Sequence, residues 1–146
     1  MREYYVIALT DVYTGLTPHL FENAADAKAK MKSWVGNEDR FFPHAAQYEF
    51  EAWLLVYWDT IQKLAGHNMA APGANPENVN HDKPPAYWIR EIFKKGNRRG
   101  KYVKPRDAVR ILRENEDNLL LSINKCTELK DLVNTILKVC NCKDLL

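Results

Sequence analysis

The sequence predicts an α/β fold with a small parallel sheet flanked by helices and an α-helical C-terminal half. Two observations carry this prediction: an almost wholly apolar strand lies at Tyr4–Leu9, and a helical stretch after Asn23 separates it from a second strand near Phe41–Tyr48. A helix between two strands is the crossover that parallel pairing requires. From Phe50 onward the apolar residues follow helical spacing, which makes the rest of the chain mainly helical.

The first strand is rich in aromatic and β-branched residues over Tyr4–Leu9. Such a run is typical of a strand that is buried on both faces, as in parallel sheets. The strand runs into Asp11, at its carboxyl end. Aspartate at this position of an open α/β sheet is typical of metal and phosphate sites. Alternatively, the Asp11 side chain caps the turn by accepting hydrogen bonds from nearby N–H groups.

The crossover helix has clear signals at both ends. Asn23 is suited to cap its N-terminus, an alanine-rich stretch follows as far as Val35, and Gly36 ends it. The chain then returns for the second strand, where the alternation around Ala45 and Tyr48 is short.

A long amphipathic helix is predicted to start where this second strand ends. Its face is formed by Phe50, Trp53, Leu54, Tyr57, Ile61 and Leu64, and Gly66 is placed to end it in a left-handed conformation. Glu49 and Glu51 therefore lie at the junction of strand and helix, facing the carboxyl end of the sheet and a positive helix N-terminus. Alternatively, they are ordinary first-turn glutamates favoured by the helix dipole.

The second half of the chain predicts further helices separated by a long surface loop. The elements are the loop at 67–85 with a short helical turn near Pro76–Asn80, a helix from Pro85 to Gly96, a helix starting at Pro105, a helical stretch at Asp117–Ser122, and a last helix N-capped by Thr127.

Composition and length predict one globular domain spanning residues 1–146. No apolar run is long enough to cross a membrane, so no membrane partner is expected. The three cysteines, Cys126, Cys140 and Cys142, are odd in number and lie late in the chain. This usage argues against a secreted disulfide framework and favours a reducing cytoplasm.

The net charge of +2 hides a dense basic segment that contains no acid. Its members are Lys94, Lys95, Arg98, Arg99, Lys101, Lys104 and Arg106. A basic segment on an otherwise balanced domain suggests a polyanionic partner such as nucleic acid. Alternatively, it is a solvated loop that keeps the protein soluble.

The acids provide the most credible chemical site in the sequence. If the two strands are neighbours, Asp11 comes within metal-bridging distance of Glu49 and Glu51. Carboxylates held together are costly unless a cation neutralises them, so the sequence predicts a Mg²⁺ or Mn²⁺ site. With the basic segment nearby, this set suits phosphoryl-transfer or phosphodiester chemistry, in which the metal stabilises charge on phosphate. The four histidines lack the spacing of a zinc site.

Several of these residues also form the pattern of a known family. Leu9–Asp11, the string Glu49-Phe50-Glu51-Ala52-Trp53-Leu54-Leu55, Lys83–Pro85 and Tyr102–Lys104 resemble the family described as domain of unknown function 4276. That family is similar to the Toprim domain, the metal-binding α/β module of topoisomerases, primases and OLD-type nucleases. The resemblance covers nearly the whole chain from Tyr4, and the E-x-E-A-W-L-L string is its most specific part.

The resemblance implies a role for each matching residue. Asp11 matches the first acid of the Toprim D-x-D motif, whereas Tyr13 stands where the second acid is expected. Glu49 and Glu51 match the paired glutamates of the family, and Lys104 matches its Y-x-K lysine.

Toprim domains begin with a strand that ends in a glutamate, usually catalytic, inside an E-G-x-T-E-like stretch. The residues before Tyr4 contain no such stretch. The resemblance therefore leaves three expectations open: an N-terminally truncated chain, a glutamate from another subunit, or a protein that does not catalyse.

The resemblance implies a divalent-metal-dependent nuclease or another phosphodiester-processing protein, acting with an ATPase partner in defence against phage. Asp11, Glu49 and Glu51 are then the catalytic and metal-binding residues, and the basic segment binds nucleic acid. The alternative is a non-catalytic interaction module that binds an ATPase partner or nucleic acid through the same domain.

Overall fold

The computed structural model describes residues 4–80, 83–97, 100–142 and 146. Two strands, β1 (Val6–Asp11) and β2 (Phe41–Ala46), pair in parallel, so that the last residue of β1, Asp11, lies opposite Ala46. The chain passes between them through helix α1 (Ala24–Val35). The predicted parallel pair and its helical crossover are therefore confirmed.

The signals at both ends of α1 act as predicted. The side chain of Asn23 accepts a hydrogen bond from the Asp26 N–H, which satisfies a donor that the first turn of the helix leaves free. At the other end Gly36 has a positive φ of 87°, a conformation that is open to glycine and strained for other residues. These local interactions return the chain to the start of β2.

Apart from connecting loops such as 67–75, the remainder of the described chain is helical, as predicted. It consists of α2 (Glu51–Leu54), α3 (Trp58–Ala65), α4 (Pro85–Lys95), α5 (Lys104–Arg113), α6 (Leu119–Lys125) and α7 (Thr127–Val139), with 3₁₀ turns at Leu55–Tyr57, Pro76–Asn78 and Glu116–Asn118. No helix within the described residues is both long and apolar enough to cross a bilayer.

The helix that the sequence predicts from Phe50 to Leu64 is divided into α2 and α3. The 3₁₀ turn at Leu55–Tyr57 lies between them. It contains no glycine or proline from which the break could be predicted. The predicted end is correct, because Gly66 adopts a left-handed conformation and its N–H donates to the Gln62 carbonyl.

The main core lies between the helices rather than on the sheet. Side chains from α3, α4 and α5 form one apolar cluster, in which Ile61, Ile89, Phe93 and Ile111 are completely buried. The α2 segment joins this core to the sheet, because Trp53 packs in a neighbouring cluster that contains Ala46 of β2. Glu49 and Glu51, at the start of α2, are thereby held at a fixed position beside the strand ends.

The prediction that the first strand is buried on both faces is wrong for the described structure. Val6 is 55% exposed and Leu9 is 48% exposed. Among the described residues β1 pairs with β2 alone, so its other edge is open. An apolar run predicts burial on both faces because strands of parallel sheets are usually covered on both sides.

The sequence predicts that Thr127 caps the N-terminus of the last helix. This prediction is wrong, because a distant glutamate caps it instead. Thr127 is the first residue of α7, and both its N–H and that of Glu128 donate to the carboxylate of Glu77, at 2.7 Å and 3.0 Å. The indole N–H of Trp53 donates to the same carboxylate at 3.2 Å. Glu77 is buried and thus links the loop, α2 and α7.

Replacing Glu77 by alanine is expected to lower the free energy of unfolding by about 3 kcal/mol, because it leaves several buried N–H donors without an acceptor. Burial raises the pKa of Glu77 more strongly than the hydrogen bonds from Glu128, Trp53 and Thr127 lower it. Glutamine keeps an acceptor without the charge, so Glu77→Gln should cost less than Glu77→Ala. Urea unfolding measures both, with Glu22→Ala at an exposed position as the control. Equal stability of Glu77→Ala and the control would refute this role.

Candidate active site at the ends of the strands

Asp11 is fixed at the carboxyl end of β1 by the chain that enters α2. Its Oδ1 accepts a hydrogen bond from the Phe50 N–H at 2.8 Å. Beyond the paired strands, the Tyr13 N–H donates to the Tyr48 carbonyl, also at 2.8 Å. The turn that carries the two glutamates is therefore held directly against the end of the first strand.

Tyr48 makes this turn possible through an uncommon backbone conformation. Its φ of 66° lies in the left-handed region, which a bulky residue adopts only where the surroundings impose it. Its ring lies against that of Tyr13, with the centroids 5.3 Å apart. The reversal at Tyr48 places Glu49, Phe50 and Glu51 beside Asp11.

Glu51 is the most buried acid of the site, with 1% of its side chain exposed. Lys104 places its Nζ 3.0 Å from Oε1 and 3.2 Å from Oε2 of this carboxylate. The Tyr102 hydroxyl donates to Oε1 at 3.3 Å. Burial, followed by the charge of Glu51, raises the pKa of Tyr102, so its phenol keeps the proton that it donates.

Glu49 faces a different helix. Its Oε2 accepts a hydrogen bond from the Ala86 N–H at 2.8 Å, in the first turn of α4. The alternative interpretation, in which a helix dipole favours the glutamates, therefore applies to Glu49. The helix concerned is α4, however, and not the helix that directly follows Glu49. Glu51 is the first residue of α2 but is buried and paired with Lys104.

The three acids influence one another electrostatically. Burial raises the pKa of Asp11, the Phe50 N–H lowers it, and the charge of Glu51 raises it further. Burial likewise raises the pKa of Glu49, with smaller increases from the charges of Glu51 and Asp11. Lys104 lowers the pKa of both. Lys104 therefore offsets part of the repulsion among the carboxylates.

A pocket of about 350 Å³ opens over this charged group. Its polar lining is Asp11, Glu51 and Lys104, and its apolar lining is Phe50, Pro105, Ala108, Val109 and Leu112. The structure thus brings Asp11 and Glu51 together around one space with Lys104. In the described part of the chain Glu49 does not line this pocket, although the charge of Asp11 raises the pKa of Glu49.

The chemistry of the acids fits a hard divalent cation, because carboxylate oxygens are the ligands that Mg²⁺ and Mn²⁺ prefer. Their arrangement is less complete. Within residues 4–80, 83–97, 100–142 and 146, no three His, Cys, Asp or Glu side chains are gathered closely enough to hold a metal ion. Glu51 is neutralised by Lys104 instead. The metal ion remains a prediction from the residue types and their shared negative charge.

The predicted nucleic-acid-binding residues have different surroundings. Lys94, Lys95 and Lys101 are exposed, the first two in the last turn of α4. Arg106 is bound to the fully buried Asp107, and Lys104 is directed to Glu51. Arg98 and Arg99 lie outside the described residues. The segment is therefore not uniformly free, since two of its members support the local structure.

Tyr102 and the apolar side of α5 are the site features that the sequence did not reveal. Tyr102 is buried in the main core, and its hydroxyl donates a hydrogen bond to Glu51. Val103 is extended, with φ −116° and ψ 108°, so residues 102 and 104 project to the same side of the backbone. The i, i+2 spacing of tyrosine and lysine was the signal from which their shared partner could have been inferred.

These features define an α/β domain with an acid–lysine pocket at the carboxyl end of a parallel strand pair. The chain belongs to the family described as "Domain of unknown function (DUF4276)", whose model matches residues 1–137. No curated protein and no solved structure matches it.

Proposed function

We propose that this chain is a Toprim-like domain that processes phosphodiester bonds with the help of a divalent cation, Mg²⁺ or Mn²⁺. The observation that carries the proposal is the pocket that Asp11 and Glu51, from separate segments, share with Lys104. Acids that repel one another beside a lysine suit a site that binds both a cation and an anionic phosphate.

In this proposal Asp11, Glu49 and Glu51 hold the cation, which when bound stabilises negative charge on the phosphate. The remaining steps belong to the protein itself. The Phe50 N–H orients Asp11, the Ala86 N–H orients Glu49, and Tyr102 orients Glu51. Lys104, whose side chain is 46% exposed, supplies a positive charge at the mouth of the pocket, where it can contact phosphate.

The proposal also includes the partner, the biological role and the cellular location of the protein. The Glu49–Leu55 string supports the Toprim-like assignment, and with it an ATPase partner and a role in defence against phage. We place the protein in the cytoplasm, where its three free cysteines stay reduced. In this proposal the basic segment of the sequence contacts the nucleic-acid backbone, through Lys94, Lys95, Arg98, Arg99, Lys101 and Arg106.

A second candidate is a non-catalytic module that binds an ATPase partner or nucleic acid. The contacts of the acids favour it, because each carboxylate already has a structural partner: Asp11 accepts from Phe50, Glu49 from Ala86, and Glu51 binds Lys104. In this alternative the acids stabilise the turn and α4, and the binding surface lies elsewhere.

Nicking of supercoiled plasmid DNA separates the two candidates. The purified chain is incubated with plasmid in Mn²⁺, in Mg²⁺ and in EDTA, and the open-circular product is measured over time. Catalysis requires product in the presence of either metal and none in EDTA. If no product forms with either metal while the chain still binds DNA, the catalytic proposal is wrong and the binding module is favoured.

A further inference from the structure

Helix α5 contributes apolar side chains both to the main core and to the pocket. Ala108 and Ile111 point into the main core and are buried. Val109 is 46% exposed, yet it lines the pocket together with Pro105 and Leu112. Exposed apolar residues are common singly, but these three form one wall of a concave space beside charged groups. Leu112 also packs against the main core, but Pro105 and Val109 belong to none of the core clusters of the described residues, so core packing does not explain their part of the wall.

We propose that the pocket binds one unpaired nucleotide of a single-stranded nucleic acid, with the base against the Val109 side of α5 and the phosphate toward Lys104. The inference rests on the proposed function, because it names the form of nucleic acid that the same site accepts. The inference is supported by the lining of the pocket, which has a polar part and an apolar part. Asp11, Glu51 and Lys104 are polar, whereas the α5 wall and Phe50 are apolar.

A nucleotide has the same division of character as the pocket. Its phosphate suits the end that contains Lys104 once the cation of the proposed function offsets the charges of Asp11 and Glu51. The faces of its base are flat and largely apolar and suit the α5 wall. An isolated phosphate leaves the wall uncovered, and a purely apolar ligand leaves the charged end unmatched. Phe50 supplies an aromatic ring at the pocket, held edge-on against Trp53 at 5.8 Å between centroids.

The nucleotide must be unpaired because the pocket is concave and about 350 Å³ in volume. In a duplex the faces of each base are covered by its neighbours, so a base reaches such a space only after extrusion from the stack, which is costly. A single strand offers its bases without this cost. Stacking of a base on an aromatic side chain strengthens binding by roughly 10-fold per base, and we expect an effect of similar size from the α5 wall.

The test compares Val109→Gln with Leu120→Gln by fluorescence anisotropy. Val109 and Leu120 are both exposed aliphatic residues on helices. Among the described residues that line the pocket, Leu120 does not appear. Glutamine adds no charge and favours a helix, so neither change repels phosphate or unfolds α5. The probes are a labelled oligothymidylate, the same strand annealed to its complement, and an abasic strand of equal length, each in Ca²⁺.

We expect the wild-type chain to bind the oligothymidylate more tightly than the duplex or the abasic strand. Val109→Gln should weaken binding of the oligothymidylate about 10-fold and leave binding of the abasic strand unchanged, and Leu120→Gln should bind all three like the wild type. Equal binding of oligothymidylate by Val109→Gln and wild type, or duplex binding as tight as that of the single strand, overturns the inference.

The outcomes also separate this inference from the proposed function. If the chain nicks DNA with metal and Val109→Gln binds oligothymidylate like the wild type, the proposed function is supported and the nucleotide pocket is refuted. Base-dependent binding that Val109→Gln weakens, without nicking in any metal, supports the nucleotide pocket and removes the phosphodiester chemistry.

Discussion

Asp11→Asn is expected to slow metal-dependent nicking of DNA by about 100-fold or more, since it removes a charge that acts on the metal and the phosphate. The change is almost isosteric, and the asparagine carbonyl can still accept the hydrogen bond that Phe50 N–H gives to Oδ1. The turn at Tyr48 should therefore keep its geometry. The rate of formation of open-circular plasmid in Mn²⁺ measures the effect.

Asp59→Asn provides the matched control for this experiment. Asp59 lies in the first turn of α3 with an exposed side chain, so the same chemical change there should leave nicking at the wild-type rate. Both variants are purified in the same way, which also controls for contaminating nucleases. If Asp11→Asn and Asp59→Asn nick DNA equally fast, the activity does not come from this site.

Gly96→Ala is expected to lower the free energy of unfolding by about 3 kcal/mol, through a clash between the new Cβ and the backbone of Ala65. A Cβ at Gly96 would lie 1.9 Å from the carbonyl oxygen of Ala65 and 2.6 Å from its carbonyl carbon. The ends of α3 and α4 meet at this point, and a backbone atom in the core cannot move aside as a flexible side chain can. Urea denaturation of the two proteins measures the loss.

Gly100→Ala separates this clash from the conformational freedom of glycine. Gly96 has an ordinary φ of −80°, which alanine adopts without strain. Gly100 has a φ of 66° and nothing within 4 Å of the position of a Cβ. Its replacement should cost only about 1 kcal/mol, from the left-handed backbone alone. A cost at Gly96 no greater than that at Gly100 would show that α3 and α4 do not approach so closely.

The parts of the fold that the sequence revealed are those specified by neighbours along the chain. The Asn23 cap and the Gly36 end of α1 are each read from a few adjacent residues, and Gly66 ends α3 in the same way. The position of Asp11 beside the Glu49–Glu51 turn followed from one further step, because parallel strands joined by a helix end at the same edge.

Features that depend on distant residues could not be predicted. Glu51 pairs with Lys104, which is 53 residues away, and the cap of α7 comes from Glu77, 50 residues before Thr127. The exposure of Leu9 depends on which strands lie beside β1, and its own apolar character gave the opposite prediction. The 3₁₀ turn before α3 likewise has no local signal, because the apolar spacing continues through it.

Calorimetric titration of the chain with Mn²⁺ tests the central claim most directly, that Asp11, Glu49 and Glu51 bind one divalent cation. Glu49→Gln is the sharpest variant, because glutamine can still accept the Ala86 N–H and only the charge is lost. The expected result is saturable binding of a single Mn²⁺ by the wild type, weakened at least about 10-fold in Asp11→Asn and in Glu49→Gln, and unchanged in Asp59→Asn. Absence of saturable binding by the wild type, or equal affinity in all four proteins, would contradict it.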